Sequence, residues 1–256
     1  MGAAAPQSRS FHRRRRKERY FSVLLGLALI LNVLLWFYAR DVRERWPVVP
    51  PAPSETAFVG STLGDRQFAY RMLGLMLQNM GDTGGRTSSF EEYDYEELKK
   101  WLFLAESLDS RSDHVPLLAA YYYAIVKDAE RLRHLVDYLE VAGDKTYGEK
   151  WRWLGQAVFI ARFKMEDLDR GLELAEKLAA LDNPDMAEWA RQMPAFVRLE
   201  RGEKEAAYAY IIQLMKDRSE ALDPAEVLFM REFICTRVLD AEEAKLHPLC
   251  EGLPEL

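Results

Sequence analysis

The chain has 256 residues, a hydrophobic fraction of 49% and a net charge of −6, which excludes a disordered polyelectrolyte and leaves material for one ordinary domain plus accessories. The charge is unevenly laid out: residues 1–20 hold seven Lys/Arg against the single acid Glu18, and everything from Trp46 onward carries about −13. A domain of that sign is a poor nucleic-acid binder, because phosphate affinity needs clustered cations.

The basic tail, residues 1–20, runs into an apolar stretch, residues 21–39, that reads FSVLLGLALILNVLLWFYA with only Ser22 and Asn32 as polar interruptions. As a helix rising ~1.5 Å per residue it reaches ~28 Å, close to the hydrocarbon thickness of a bilayer. Tyr20 and Phe21 flank one end, and Trp36, Phe37, Tyr38 and Trp46 the other, as interfacial aromatics do. The run ends in WFYARDVRERW, which offers no small-x-small cleavage site, so an uncleaved single-pass anchor is expected rather than a signal peptide. The cluster His12 to Lys17 outweighs the mixed-sign Arg40 to Arg45. The positive-inside rule then predicts a cytoplasmic N-terminus and an extracytoplasmic remainder, which in a Gram-negative cell means an inner-membrane anchor and a periplasmic domain.

Residues 40–62 are expected as a Pro-rich linker, since four prolines fall within Pro47 to Pro53. Helices follow from residue 63 to 240 by apolar periodicity and punctuation. Asp65 is placed to cap a helix carrying Phe68, Met72, Leu75 and Met76. Residues 81–92 read as a polar loop, and Asp94 is placed to cap a helix carrying Leu98, Trp101, Leu102 and Ala105. Further helices are expected over 115–127, 129–142, 148–164, 166–181, 184–201, 203–222 and 224–239, with Pro194 kinking or interrupting one of them. Residues 241–256 form a C-terminal tail. No alternating strand pattern of useful length is present, so the fold class is all-α: antiparallel helical hairpins, stacked by their short connections.

Segment ends rhyme at Leu108-Asp109-Ser110, Leu181-Asp182-Asn183-Pro184 and Leu222-Asp223-Pro224. Leu199-Glu-Arg-Gly202-Glu-Lys-Glu-Ala206-Ala207 is similar to the end of a first helix, a turn and the small-residue contact of a second. Leu172 to Pro184 is similar to a second helix with its closing Pro, and Trp153-Leu154-Gly155 and Trp189-Ala190 to first-helix aromatic and small positions. In these residues, over roughly Asp94 to Leu239, the chain resembles the tetratricopeptide repeat family, and the resemblance implies a solenoid that works by binding other proteins.

Chemistry-bearing motifs are sparse. Gly81-Asp82-Thr83-Gly84-Gly85 lacks the Lys-Ser/Thr of a phosphate loop and is expected as an ordinary loop. The histidines lie far apart, and His247 with Cys235 and Cys250 lacks a fourth ligand, so no metal, cofactor or catalytic residue is assigned. The two cysteines permit a disulfide that staples the tail to the last helix, or else two free thiols. Of Tyr121, Tyr122 and Tyr123, at least one must point outward, because successive helical residues lie ~100° apart. Tyr122, Arg152, Gln156, Arg191 and Gln192 are the candidate partner-binding residues, since Tyr and Arg commonly anchor protein interfaces. The expected function is a membrane-anchored protein-binding adaptor, scaffold or accessory subunit of an envelope complex, with no nucleic-acid or small-molecule ligand. The alternatives are a cell-envelope enzyme with a site assembled from distant residues and a translocon-associated periplasmic chaperone.

Overall fold

A computed structural model describes residues 8–39, 47–83 and 86–253. The chain divides into two compact units after Pro47. The first seven residues of the basic tail, the linker's start at 40–46 and the last three residues of the C-terminal tail lie outside the described residues.

The first unit holds one helix, α1 (Ser8–Ala39). Its stretch Tyr20–Ala39 has a mean hydropathy of 2.2 and none of it is buried in protein, so by length and composition the helix can cross a membrane.

The second unit is helical apart from a two-residue antiparallel pair, β1 (Asp82–Thr83) with β2 (Arg86–Thr87). A short helix, α2 (Glu55–Ser61), precedes five hairpins. In each, a first helix turns back into a second: α3 (Arg66–Gln78) into α4 (Tyr95–Leu108), α5 (His114–Leu117) into α6 (Ala129–Gly143), α7 (Trp151–Phe163) into α8 (Leu168–Ala179), α9 (Met193–Glu200) into α10 (Lys204–Asp217), and α11 (Pro224–Phe233) into α12 (Ala241–Leu246). Two of the first helices are prolonged by a wider π turn, α5 through Leu118–Tyr122 with a 3-10 turn, Tyr123–Ile125, after it, and α11 through Ile234–Val238. Starts of the second helices from Ala129 through Leu168 and Lys204 to Ala241 are spaced 39, 36 and 37 residues, and from α2 on each helix, taken with its prolongation, packs on its chain neighbour, so the hairpins stack in sequence.

The helix starts have a common cause. Asp94, Asp128 and Asp167 sit just before α4, α6 and α8, and each carboxylate accepts from backbone N–H groups of the first turn. Asp240 closes a capping box with Glu243 before α12. A cap of this kind is worth ~1 kcal/mol and satisfies donors the helix cannot. Hairpin seams are filled by Ala142, Ala157, Ala161, Ala175 and Ala207, all buried. The α6–α7 seam is the tightest: a Cβ on Gly143 would lie 2.2 Å from the Leu154 backbone nitrogen.

Three expectations need correction. The Pro-rich stretch from Val48 onward is not a free spacer. Val49 is 2% exposed, the Trp101 indole donates to the Pro50 carbonyl at 2.7 Å, and α2 occupies residues expected as linker, capped by Ser54. Proline removes N–H donors but leaves carbonyls that still need partners when buried, and Trp101 supplies one. Second, no continuous helix spans 184–201. Asn183 bridges the Lys145 and Gly148 carbonyls at 3.2 and 3.0 Å, a 3-10 turn covers Glu188–Gln192, and Pro194 falls in the first turn of α9, where its missing N–H is harmless. Third, the loop 81–92 contains the short strand pair and a 3-10 turn, Phe90–Glu92.

Candidate functional site

The start of α7 is fixed from below. Lys150, only 5% exposed, places its Nζ 2.7 Å from Asp113 Oδ1 and 2.8 Å from the Ser112 carbonyl. The Trp153 indole donates to the same Asp113 oxygen at 2.7 Å. Burial opposes the Asp113 charge, but the bonds from Lys150 and Trp153 outweigh it and hold the carboxyl below the usual carboxylate range. Trp151 is buried, donates to the Asp185 carbonyl at 3.2 Å, and meets Trp189 edge-to-face at 5.5 Å. Trp189 itself, on the 3-10 turn ahead of α9, is 45% exposed.

These contacts leave a groove of about 520 Å³ between the first helices of the second, third and fourth hairpins. Tyr121 lines it from the π turn after α5, Arg152, Trp153, Gln156 and Phe159 from α7, and Trp189 with Met193 from the fourth hairpin. A second groove, about 450 Å³, follows at the other end of α7 and α9, where Arg162, Phe196, Leu199, Glu200, Phe233 and Arg237 meet. A third, about 440 Å³, lies between α3 and the start of α5 and includes Arg71, Leu75 and His114.

Exposed apolar surface follows the same division. Leaving α1 aside, fifteen large hydrophobic residues are exposed among the described residues; ten belong to first helices and their prolongations and Trp189 to the turn ahead of α9, against Val141 and Leu246 on second helices. A soluble surface scatters such residues singly. Here Phe68, Leu75, Leu117, Tyr121, Tyr122, Ile125, Phe159, Phe163, Leu228 and Phe229 lie on first helices or their prolongations, and Trp189 on the turn that leads into α9.

Of the candidate residues, Arg152 and Gln156 come together in the aromatic groove. The other three do not. Tyr122 packs edge-to-face on Phe90 at 4.9 Å and on Tyr123 at 5.3 Å, inside an aromatic cluster with Tyr93. Burial pushes the Tyr93 phenol up to about 12 and the Tyr123 phenol further up, so both stay neutral donors, Tyr93 to the Met80 carbonyl and Tyr123 to that of Leu77. Arg191 reaches back to the Ala179 and Leu181 carbonyls at 2.8 and 3.3 Å and so caps the end of α8. Gln192 is 0% exposed and cannot meet a partner. Arg191 and Gln192 lie on the 3-10 turn Glu188–Gln192, which rotates their side chains away from the phase of an α-helix. Tyr121, Trp153, Phe159 and Trp189 complete the groove instead. The spacing of Arg152, Gln156 and Phe159 is that of one helical stripe, but matching it to Tyr121 and Trp189 needs the hairpin register.

Cys235 and Cys250 form a disulfide, with Cα atoms 5.8 Å apart. Around it Arg231 donates to the carbonyls of Leu249 and Glu251, both at 2.7 Å, and Tyr208 Oη lies 3.0 Å from His247 Nε2. Among the described residues no three His, Cys, Asp or Glu side chains converge as a metal site.

No family model, curated protein or solved structure matches the chain.

Proposed function

We propose that this chain is a membrane-anchored, tetratricopeptide-like adaptor, scaffold or accessory subunit whose first-helix side binds a protein partner. The observation that carries the reading is the segregation of exposed apolar residues to the first helices, with three grooves between them. Leaving that surface in water costs about 25 cal/mol per Å², so a partner that covers it gains what folding left unused. Aromatic side chains at the grooves, Tyr121, Trp153 and Trp189, are of the type that dominates binding energy. α1 supplies the anchor, and the basic residues ahead of it favour a cytoplasmic N-terminus with an extracytoplasmic domain, the periplasm in a Gram-negative source. The disulfide supports that placement, because oxidising compartments keep such bonds.

The test places a photo-cross-linking residue at Phe159 or Trp189, and separately at exposed Glu173 on α8, in the full chain in its native membrane. One partner captured at the first two positions and not at the third is expected. Equal capture at all three, or none at the first two, would refute the reading.

A further inference from the structure

We infer that the groove around Trp189 takes an uncharged, proline-rich segment of a partner protein in the polyproline II conformation; the inference rests on the first-helix side being the binding surface. The charges at the groove are already matched: Asp113 by Lys150 and the Trp153 indole, Glu149 by Arg152 at 2.6 Å. A partner bringing net charge would find no unmatched opposite charge there, whereas a neutral segment leaves both pairs intact.

What stays available in the groove is rings and donors. The Trp189 indole N–H and the Gln156 amide have no hydrogen-bond partner among the described residues, and Arg152 uses only Nη2 on Glu149. Tyr121 (60% exposed), Phe159 and Trp189 offer aromatic surface. A polyproline II segment is the complement of that set. It has no internal hydrogen bonds, its prolines carry no N–H, its carbonyls need donors, and its rings are flat and apolar. It is also stiff before binding, so little conformational entropy is lost on docking.

A proline-bearing stretch of this chain already rests on a tryptophan. Pro50 gives its carbonyl to the Trp101 indole at 2.7 Å, Phe58 meets the Trp101 ring edge-to-face at 5.9 Å, and Val49 is buried beside them. Indole N–H to proline carbonyl is the bond that Trp189 leaves open, in a groove also lined by Phe159 and Tyr121.

The test pans a random twelve-residue peptide display library on the full-length chain in nanodiscs, with Trp189→Ala and Trp189→Phe variants alongside. Expected are selected sequences enriched in Pro at three-residue spacing with no bias in net charge. Their affinity should fall at least tenfold in Trp189→Ala, and severalfold in Trp189→Phe, which keeps a ring and loses the N–H. Selection of aromatic or aliphatic sequences without Pro, still lost in Trp189→Ala, would overturn this inference and leave the binding surface standing. Selection of strongly basic or acidic sequences would overturn it likewise. Pairing of nanodiscs through the domain, read by mass photometry and lost in Trp189→Ala, would assign the groove to a second copy and overturn it too. Failure to select any peptide over empty nanodiscs would refute both readings.

Discussion

Glu166 and Gly202 occupy the same place in consecutive hairpin turns. Each is the residue two before its second helix, α8 and α10, and each has a positive φ, +55° at Glu166 and +81° at Gly202. The turn needs a left-handed residue there, and only one of the two hairpins has the glycine that accommodates it without strain.

Glu166→Gly should therefore stabilise the domain. Left-handed backbone costs a non-glycine residue about 1–2 kcal/mol, and the added freedom of glycine in the unfolded chain takes back roughly half. A rise in melting temperature of about 1–3 °C is expected. Gly202→Ala should do the reverse by a similar amount, since no atom lies within 4 Å of a Cβ there and only the backbone objects. A lowered melting temperature for Glu166→Gly in thermal denaturation would remove the equivalence.

The hairpins were legible in the sequence for the same kind of reason that Gly202 was. Caps such as Asp65 and Asp94, the apolar stripes and the punctuation at Leu222-Asp223-Pro224 act within a few residues of themselves. The features that escaped depend on distant partners. Pro50 is held by Trp101, 51 residues away, and Asn183 by carbonyls 35 and 38 residues away. No local pattern reports either. The groove was half legible: Arg152 and Gln156 lie on one helical stripe, whereas Tyr121 and Trp189 join them only through the stacking of three hairpins.

Gln192 has both side-chain polar atoms buried without a partner, at 0% exposure. An amide left so loses hydration without compensation, a penalty of about 1–3 kcal/mol. Gln192→Met keeps the length and removes the polar groups, so it should raise stability by ~1 kcal/mol in urea denaturation at unchanged m-value. A destabilised Gln192→Met would mean that the amide is satisfied in solution by a bound water.

Asp113 gives the domain a defined acid response. Its folded carboxyl is held below the unfolded value near 4, so its contribution is present above pH ~4 and is lost as pH falls through the lower, folded value. Asp113→Asn should cost about 1–2 kcal/mol at neutral pH, discounted from the buried-pair range because the Asp113 side chain is 61% exposed while Lys150 is not. The gap between the two proteins should close below pH 4. Parallel pH–stability curves for wild type and Asp113→Asn would rule the pairing out as a source of stability.

The disulfide between Cys235 and Cys250 ties the tail to the last first-helix. Ala195, Ala207, Ile211, Met230, Phe233, Ile234 and Val238 form a buried cluster separate from the main core, with Leu249 of the tail packed on its edge. α12 packs on the prolongation Ile234–Val238 and the turn Pro248–Cys250 on α11. The bond closes a loop of 15 residues, worth ~3 kcal/mol in the chain-entropy model. Cys235→Ser/Cys250→Ser and reduced wild type should behave alike. In both, α12, the 248–250 turn and α11 should lose hydrogen-exchange protection, whereas α4, α6 and α7 should keep theirs, because the main core does not rest on the tail. Protein taken from its native membrane, denatured without reductant, should show no reactive thiols, and a reporter active only outside the cytoplasm should be active when fused after Leu256. Two reactive thiols together with an inactive reporter would place the domain in the cytoplasm. Two thiols with an active reporter would show that the staple does not form where the domain resides, and Arg231, through its bonds to Leu249 and Glu251, would then be left to hold the tail.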